Sequence, residues 1–454
     1  MKQDKNKIGL REKAAFACAN VGNVPIMALI SGYLLIFYTD VCGMNPFAVG
    51  TLFLITKLLD GVNDPIMGFV VDHLKPGRLG RFRPCLIFGT IICGLNYILL
   101  WLGPAYAPDG LKLLIAYISY ILIGITFDLM DIPLNSMIPV MSDDMKERNL
   151  LSLIKGAAYM GGTVLFTIIP PLVITASGDQ RFSYTILILV TVAMVVCLSV
   201  IGALGIQERV KPISEKSYKV KDLLRMLSLS PVLLLFISSL TFGIGSGMLN
   251  ASSTYFATYI MGDLKLNAAA SAMMIVGMLP ALIAAPLLAN KLGKKVVYGG
   301  GLTIAGAANL IRFLNVTYIP LWYLAYLLGG LGSGIMISVM YGIQADNVDF
   351  AEVKTGIRAE SAIASLSSFV SKAASGIGAA LPAYVLGWTG FVANQAQTPG
   401  AERGILLCSI GLPGLCTLFA GLLFLCAYPL GKKRMEQVET ELRMRREKAE
   451  KIAP

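Results

Sequence analysis

Residues 46–83 read PFAVGTLFLITKLLDGVNDPIMGFVVDHLKPGRLGRFR. From Pro46 to Val71 the stretch is long and apolar enough to be a helix through a bilayer, whose hydrocarbon core of about 30 Å takes ~20 helical residues. Lys57, Asp60 and Asp64 nevertheless lie inside it. Each buried charge costs ~2.5–3.5 kcal/mol on insertion scales, so each needs a partner or a function. The basic connection that follows, Lys75 to Arg83, is the kind of segment that marks the cytoplasmic side.

Working outward, eight stretches carry no charge: 14–38, 84–104, 156–178, 182–207, 226–262, 266–290, 313–345 and 404–431. Four more hold isolated charges, at 46–71, 111–141, 296–314 and 360–389, which brings the expected spans to twelve. The chain has 454 residues, 14% of them charged, where a soluble protein carries roughly 25%. The predicted fold is therefore an all-α membrane protein of twelve transmembrane helices in two six-helix bundles. Its expected parts are an N-terminal bundle (1–207), a cytoplasmic linker (208–230), a C-terminal bundle (231–430) and a charged, solvated cytoplasmic tail (431–454). Short connections leave no room for a soluble catalytic domain, so the chain is not expected to be an enzyme.

The net charge of +11 invites a nucleic-acid reading, but its placement argues otherwise. With twelve spans, thirty of the 38 Lys and Arg residues fall on the side of the termini and four on the other. That bias is the positive-inside rule, and it puts both termini in the cytoplasm of a multi-pass protein of the plasma membrane, expected to be a bacterial inner membrane. No cleavable signal peptide is expected, because the first apolar stretch is of full span length. The eight cysteines form no CxxC pair and read as small apolar residues. Trp101 and Trp322 read as interfacial anchors, and Lys155 and Arg312 as snorkelling residues at span ends.

The two halves echo each other. Gly77-Arg-Leu-Gly-Arg-Phe-Arg83 after the second span has the reduced counterpart Asn290-Lys-Leu-Gly-Lys-Lys295 after the eighth. Paired six-span units suit alternating access, in which two bundles rock about a site between them. In the second span Asp60, Asn63 and Asp64 stack on one helical face with Lys57 a turn away, a set of oxygens suited to a hard cation. In the fourth, Asp128 and Asp131 share a face, with Asn135 one turn beyond. In the eleventh, Ser365, Ser367, Ser368, Ser371 and Lys372 interrupt an apolar segment. Four carboxylates against Lys57 and Lys372 leave about two negative charges for a cation, a proton or both to balance. The structural alternative is a set of ion pairs that fix packing, with Lys57 on Asp60 and Lys372 on Asp131.

These stretches resemble a known family. Asp60-Gly-Val-Asn-Asp64-Pro-Ile-Met-Gly68, Gly80-Arg-Phe-Arg-Pro84, Asp131-Ile-Pro133, Ala345-Asp-Asn-Val-Asp349-Phe-Ala-Glu352 and Ile357-Arg-Ala-Glu-Ser361 are similar to signatures of the glycoside-pentoside-hexuronide:cation symporters. That family includes the melibiose carrier and belongs to the major facilitator superfamily. The resemblance implies one sugar site between two bundles and a coupling-cation site on helices two and four. It assigns Asp60, Asn63 and Asp64 to the cation, Asp131 to sugar hydroxyls, and Lys372 to a position near both. Departures are Asp128 in place of a threonine ligand, Val24 in place of a sugar-facing aspartate, Asn135 and Ile337 in place of aromatic residues, and Lys155-Gly156 where an arginine is expected.

The expected function is thus symport of a sugar or glycoside with sodium or a proton by a monomeric carrier in the lipid bilayer, with no cofactor, no metal beyond the coupling cation and no nucleic-acid partner. The alternative is transport of an amphipathic or lysolipid-like solute. Asp60, Asn63, Asp64 and Asp128 are the expected cation ligands. Asp131, Asn135, Ser367, Ser368, Ser371 and Lys372 are expected at the substrate, and Lys57 balances charge. Asp72, Arg78, Arg81, Arg83, Asp143, Asp144, Arg148, Asp346, Asp349 and Arg358 are candidates for cytoplasmic gating ion pairs.

Overall fold

A computed structural model describes residues 8–73, 77, 79–142, 145–209, 229–355 and 360–452. Among them the only β-type pairing is an isolated antiparallel bridge between Gly77 and Gly80, and all else is helix and turn. In chain order the helices are α1 (Leu10–Ile36), α2 (Pro46–His73), α3 (Phe82–Tyr106), α4 (Asp109–Asn135), α5 (Met145–Ile174) and α6 (Gln180–Gly205). Then come α7 (Ser230–Tyr255), α8 (Lys265–Leu292), α9 (Lys294–Ile311), α10 (Ile319–Thr355), α11 (Glu360–Trp388), α12 (Leu412–Ala427, entered through Pro399–Leu406) and α13 (Lys432–Ile452). Helices α1 and α7 run on through π-helical turns, Phe37–Val41 and Phe256–Ile260.

Eleven of the described segments are long and apolar enough to cross a bilayer. The segment read first in the sequence, α2, is not one of them: it is 28 residues long but carries Lys57, Asp60, Asp64 and Asp72. Helix α10 has 37 residues, about 55 Å at 1.5 Å per residue, so it outlasts the apolar stretch and takes Asp346, Asp349 and Glu352 into its last turns.

The chain packs as two compact units. Unit 1 contains residues 1–215 together with Ser253–Ala268 and Ala383–Ala401, and unit 2 the remainder. In unit 1 the basic motif between α2 and α3 acts as a clamp. Gly80 takes a positive φ of 93°, and a side chain there would collide with Glu208, so glycine alone fits. The Glu208 carboxylate accepts the backbone N–H groups of Arg81, Phe82 and Arg83, which are the free donors at the start of α3. Arg83 donates in turn to the carbonyls of Ala203 and Leu204 at the end of α6. Arg209 pairs with Glu12, whose hydrogen bond raises the guanidinium above its usual range. The linker therefore leaves α6 already docked.

Three sequence expectations need correction. Trp101 and Trp322 are 0% and 1% exposed, so they are core residues rather than interfacial anchors. Trp101 stacks on Tyr184 with ring centroids 6.0 Å apart, and Trp322 lies beneath the Arg312 guanidinium. Arg312 does not snorkel: it is 2% exposed and donates to the Asn309 side chain and the Ser409 carbonyl. The tail is not a solvated run of charge either. It forms α13, whose Met435, Val438 and Leu442 complete the unit 2 core with Ile343, Phe424 and Tyr428.

Candidate functional site

In unit 1 the ionisable residues of α2 and α4 meet. Lys57 Nζ lies 2.9 Å from Asp60 Oδ2 and over the Tyr120 ring at 5.9 Å. Asn63 donates to Asp128 Oδ2 at 2.9 Å, and Asp128 is only 5% exposed. Because the amide nitrogen of Asn63 faces Asp128, its oxygen is available to a cation. Opposite Asp60, α4 carries Gly124, and a Cβ built there would stand 2.0 Å from Asp60 Oδ1. The carboxylate occupies the space a side chain on α4 would otherwise fill.

One turn further along α4 a second set gathers on Asp131. Asn23 of α1 donates to its Oδ1 at 2.5 Å, and Asn135 donates to its Oδ2 at 2.7 Å. Lys155 of α5 donates to Asn135 Oδ1. Asp131 joins α1 to α4, Asn135 extends the link to α5, and the two sets are adjacent because residues three apart in a helix share a face. Asn23 Oδ1 is buried with no hydrogen-bond partner, so an acceptor stands ready beside Asp131.

Sequence reasoning missed two members of this site. Asn23 is one polar residue in an apolar span, and nothing in its spacing signals a partner 108 positions away. Lys155 was expected to snorkel, whereas it reaches Asn135. Its presence alters the charge balance: three described carboxylates (Asp60, Asp128, Asp131) face two ammonium groups (Lys57, Lys155), an excess of one negative charge.

The gating candidates that are described make contacts inside their own units. Arg81 Nε donates to the Val71 carbonyl, Arg148 Nε to the Ser142 carbonyl, and Asp346 pairs with Lys294 at 2.6 Å. Asp349 lies partly buried on α10. Ser367, Ser371 and Lys372 lie on α11 within unit 2, with Ser367 and Lys372 partly buried and Ser371 exposed. Arg78, Asp143, Asp144 and Arg358, and the side chains of Asp64, Asp72 and Ser368, lie outside the described residues. Unit 2 also holds a partly open cavity of about 250 Å³ among α7, α8, α9, α10 and α12, lined by Phe242, Met278, Tyr326 and Ile337 together with Asn309 and Ser333.

Comparison with known proteins places the chain. A family model described as MFS/sugar transport protein matches residues 15–432, and the chain belongs to that family. The chain is 30% identical to the isoprimeverose transporter of Lactiplantibacillus pentosus, over 90% of this chain and 86% of that one. It is 27% identical to the glucuronide carrier protein homolog of Escherichia coli K12, over 96% of each. It is 25% identical to a putative sulfoquinovose importer of the same strain, over 97% and 95%. A crystal structure of a mutant of the nucleoside transporter NupG shares the fold, with a TM-score of 0.65 at 11% identity, covering 92% of this chain and all of the other. The protein is accordingly a multi-pass plasma-membrane member of the glycoside-pentoside-hexuronide symporters.

Proposed function

We propose that the protein is a symporter that couples entry of a sugar or glycoside to sodium or a proton by alternating access, with twelve spans, both termini cytoplasmic and no catalytic activity. The observation that carries the reading is the α4 pair: Asp128 held by Asn63 and Asp131 held by Asn23 and Asn135, one turn apart. Asp60, Asn63, Asp64 and Asp128 then receive the cation, with Lys57 holding Asp60. Asp131, Asn135, Lys372 and the serines of α11 receive sugar hydroxyls. The gating role of Asp72, Arg78, Arg81, Arg83, Asp143, Asp144, Arg148, Asp346, Asp349 and Arg358 is part of the same proposal.

Relatives named for isoprimeverose and a glucuronide support a saccharide substrate. An amphipathic solute is the second reading, supported by the mainly apolar wall around Ile337 in unit 2. Uptake by proteoliposomes separates them. Labelled isoprimeverose, a phenyl glucuronide and a lysophospholipid are offered with sodium, with choline, or with an imposed pH gradient. The first reading predicts cation-stimulated uptake of a saccharide, and lysophospholipid uptake alone would contradict it.

A further inference from the structure

At the end of unit 1 remote from the basic clamp, the last turn of α1 meets two segments from much later in the chain. Asp40 Oδ1 accepts from the Thr39 hydroxyl at 2.6 Å, and Oδ2 accepts from the Tyr259 hydroxyl. The Thr39 oxygen is left to accept from Tyr255, 2.6 Å away. Asn394, in the connection between α11 and α12, closes the set. Its backbone N–H donates to the Tyr259 oxygen at 3.0 Å and its side chain to the Asp40 carbonyl at 2.8 Å. To do both it adopts a left-handed φ of 59°, a conformation asparagine tolerates better than most residues. Phe391 packs edge-on against Tyr255 and Tyr259, and Thr51 meets the Tyr384 hydroxyl at 3.0 Å.

Two properties mark these bonds as made to be broken. First, among the described residues no lysine or arginine pairs with Asp40. Lys112 is held by Asp109 and the Cys42 carbonyl, and Arg181 lies over the Tyr106 ring. A carboxylate held by neutral donors can exchange each of them for water. Second, water has somewhere to come from: a cavity of about 290 Å³ abuts the cluster, lined by Asp40, Thr175, Gln180, Tyr184, Thr258 and Asp263. Apolar packing offers no such exchange, and a buried ion pair would be costly to part.

We infer that Asp40, Tyr259 and Asn394 form an outer latch, which ties the ends of α1 and α7 and the α11–α12 connection together and must release before the outer face opens. The word outer rests on the membrane orientation proposed above. The latch accounts for residues on which the expected cytoplasmic gates are silent, and it predicts that its loss favours an outward-open state.

The test is a rate of chemical labelling. Thr258 lines the cavity and its hydroxyl has no hydrogen-bond partner, so Thr258→Cys removes no bond and serves as a reporter. It is made in the native chain, with the parent chain measuring background from the eight native cysteines. A membrane-impermeant maleimide is added to right-side-out vesicles. A hydrogen bond to a charged group is worth enough that Tyr259→Phe or Asp40→Asn should raise the labelling rate of Cys at 258 about tenfold. Tyr259→Phe keeps the ring against Phe391, and with Asn394→Ala it carries the test even where Asp40→Asn fails to fold. Rates unchanged in these backgrounds would overturn the latch. Ala176→Cys, exposed in the nearby α5–α6 turn, checks the orientation separately. Labelling of that site only after permeabilisation would overturn the orientation, and with it the outer placement, whatever the rate at 258.

Discussion

Asp131 has no spare oxygen: both are occupied by amides from α1 and α4. A sugar hydroxyl that binds there must displace or share one of these donors, which lets substrate binding pull on α1, α4 and, through Asn135, α5. Asp131→Asn leaves the size unchanged and removes the charge. Since a hydrogen bond to a charged group contributes about 1.5–3 kcal/mol, saccharide affinity should fall roughly 10- to 100-fold, measured by equilibrium binding to purified protein. Lys155→Met should weaken binding of an anionic saccharide by more than that of a neutral one, and the ratio of the two affinities is the readout. Gly124→Ala tests the cation side. Its methyl would overlap Asp60 Oδ1, so the carboxylate must turn away, at a stability loss of about 1–3 kcal/mol and with weakened cation stimulation at an otherwise intact sugar set.

At the scale of helices, hydropathy locates a helix for each expected span, because an apolar run is a local property, but not its ends: α5 starts at Met145 rather than 156, and α10 runs on to Thr355 rather than 345. It could not say which side of a span faces protein and which faces lipid. Trp101, Trp322, Arg312 and Lys155 depart from expectation for that reason, each being sited by a partner on another helix or turn that hydropathy does not reveal. The α2 acids were legible because charge in an apolar run stands out, whereas Asn23 was not, and neither was the Asp40 cluster, whose members lie up to 354 positions apart. The motif after α2 was read as a topological and gating signal, and its glutamate partner was overlooked since 127 residues separate Glu208 from Arg81. Glu208→Ala leaves three N–H groups of α3 without their acceptor and should lower stability by about 1–3 kcal/mol, seen as a lower melting temperature in detergent. Val438→Asp places a charge in the core that α13 completes, and should lower the melting temperature at least as far.

For the whole molecule, the proposal is a coupling between two ligands. The cation set and the sugar set share α4, with Asp128 and Asp131 one turn apart, so ordering one orders the other. Linkage then requires that a saccharide raise cation affinity by the same factor as the cation raises saccharide affinity, in the usual range of about 5- to 150-fold. The α2 and α4 carboxylates explain why the empty carrier should resist reorientation and the loaded one should not, since a carboxylate without its cation is costly in a low dielectric.

Accumulation driven by an ion gradient in proteoliposomes tests that coupling most directly, with the native chain compared to Asp128→Asn and labelled isoprimeverose as the first probe. The native protein should concentrate the saccharide above its external level when a sodium or proton gradient is imposed, and only then. Asp128→Asn should lose the concentrative step while still exchanging labelled for unlabelled saccharide. Equal accumulation by the two proteins, or accumulation by the native chain with no ion gradient present, would contradict it.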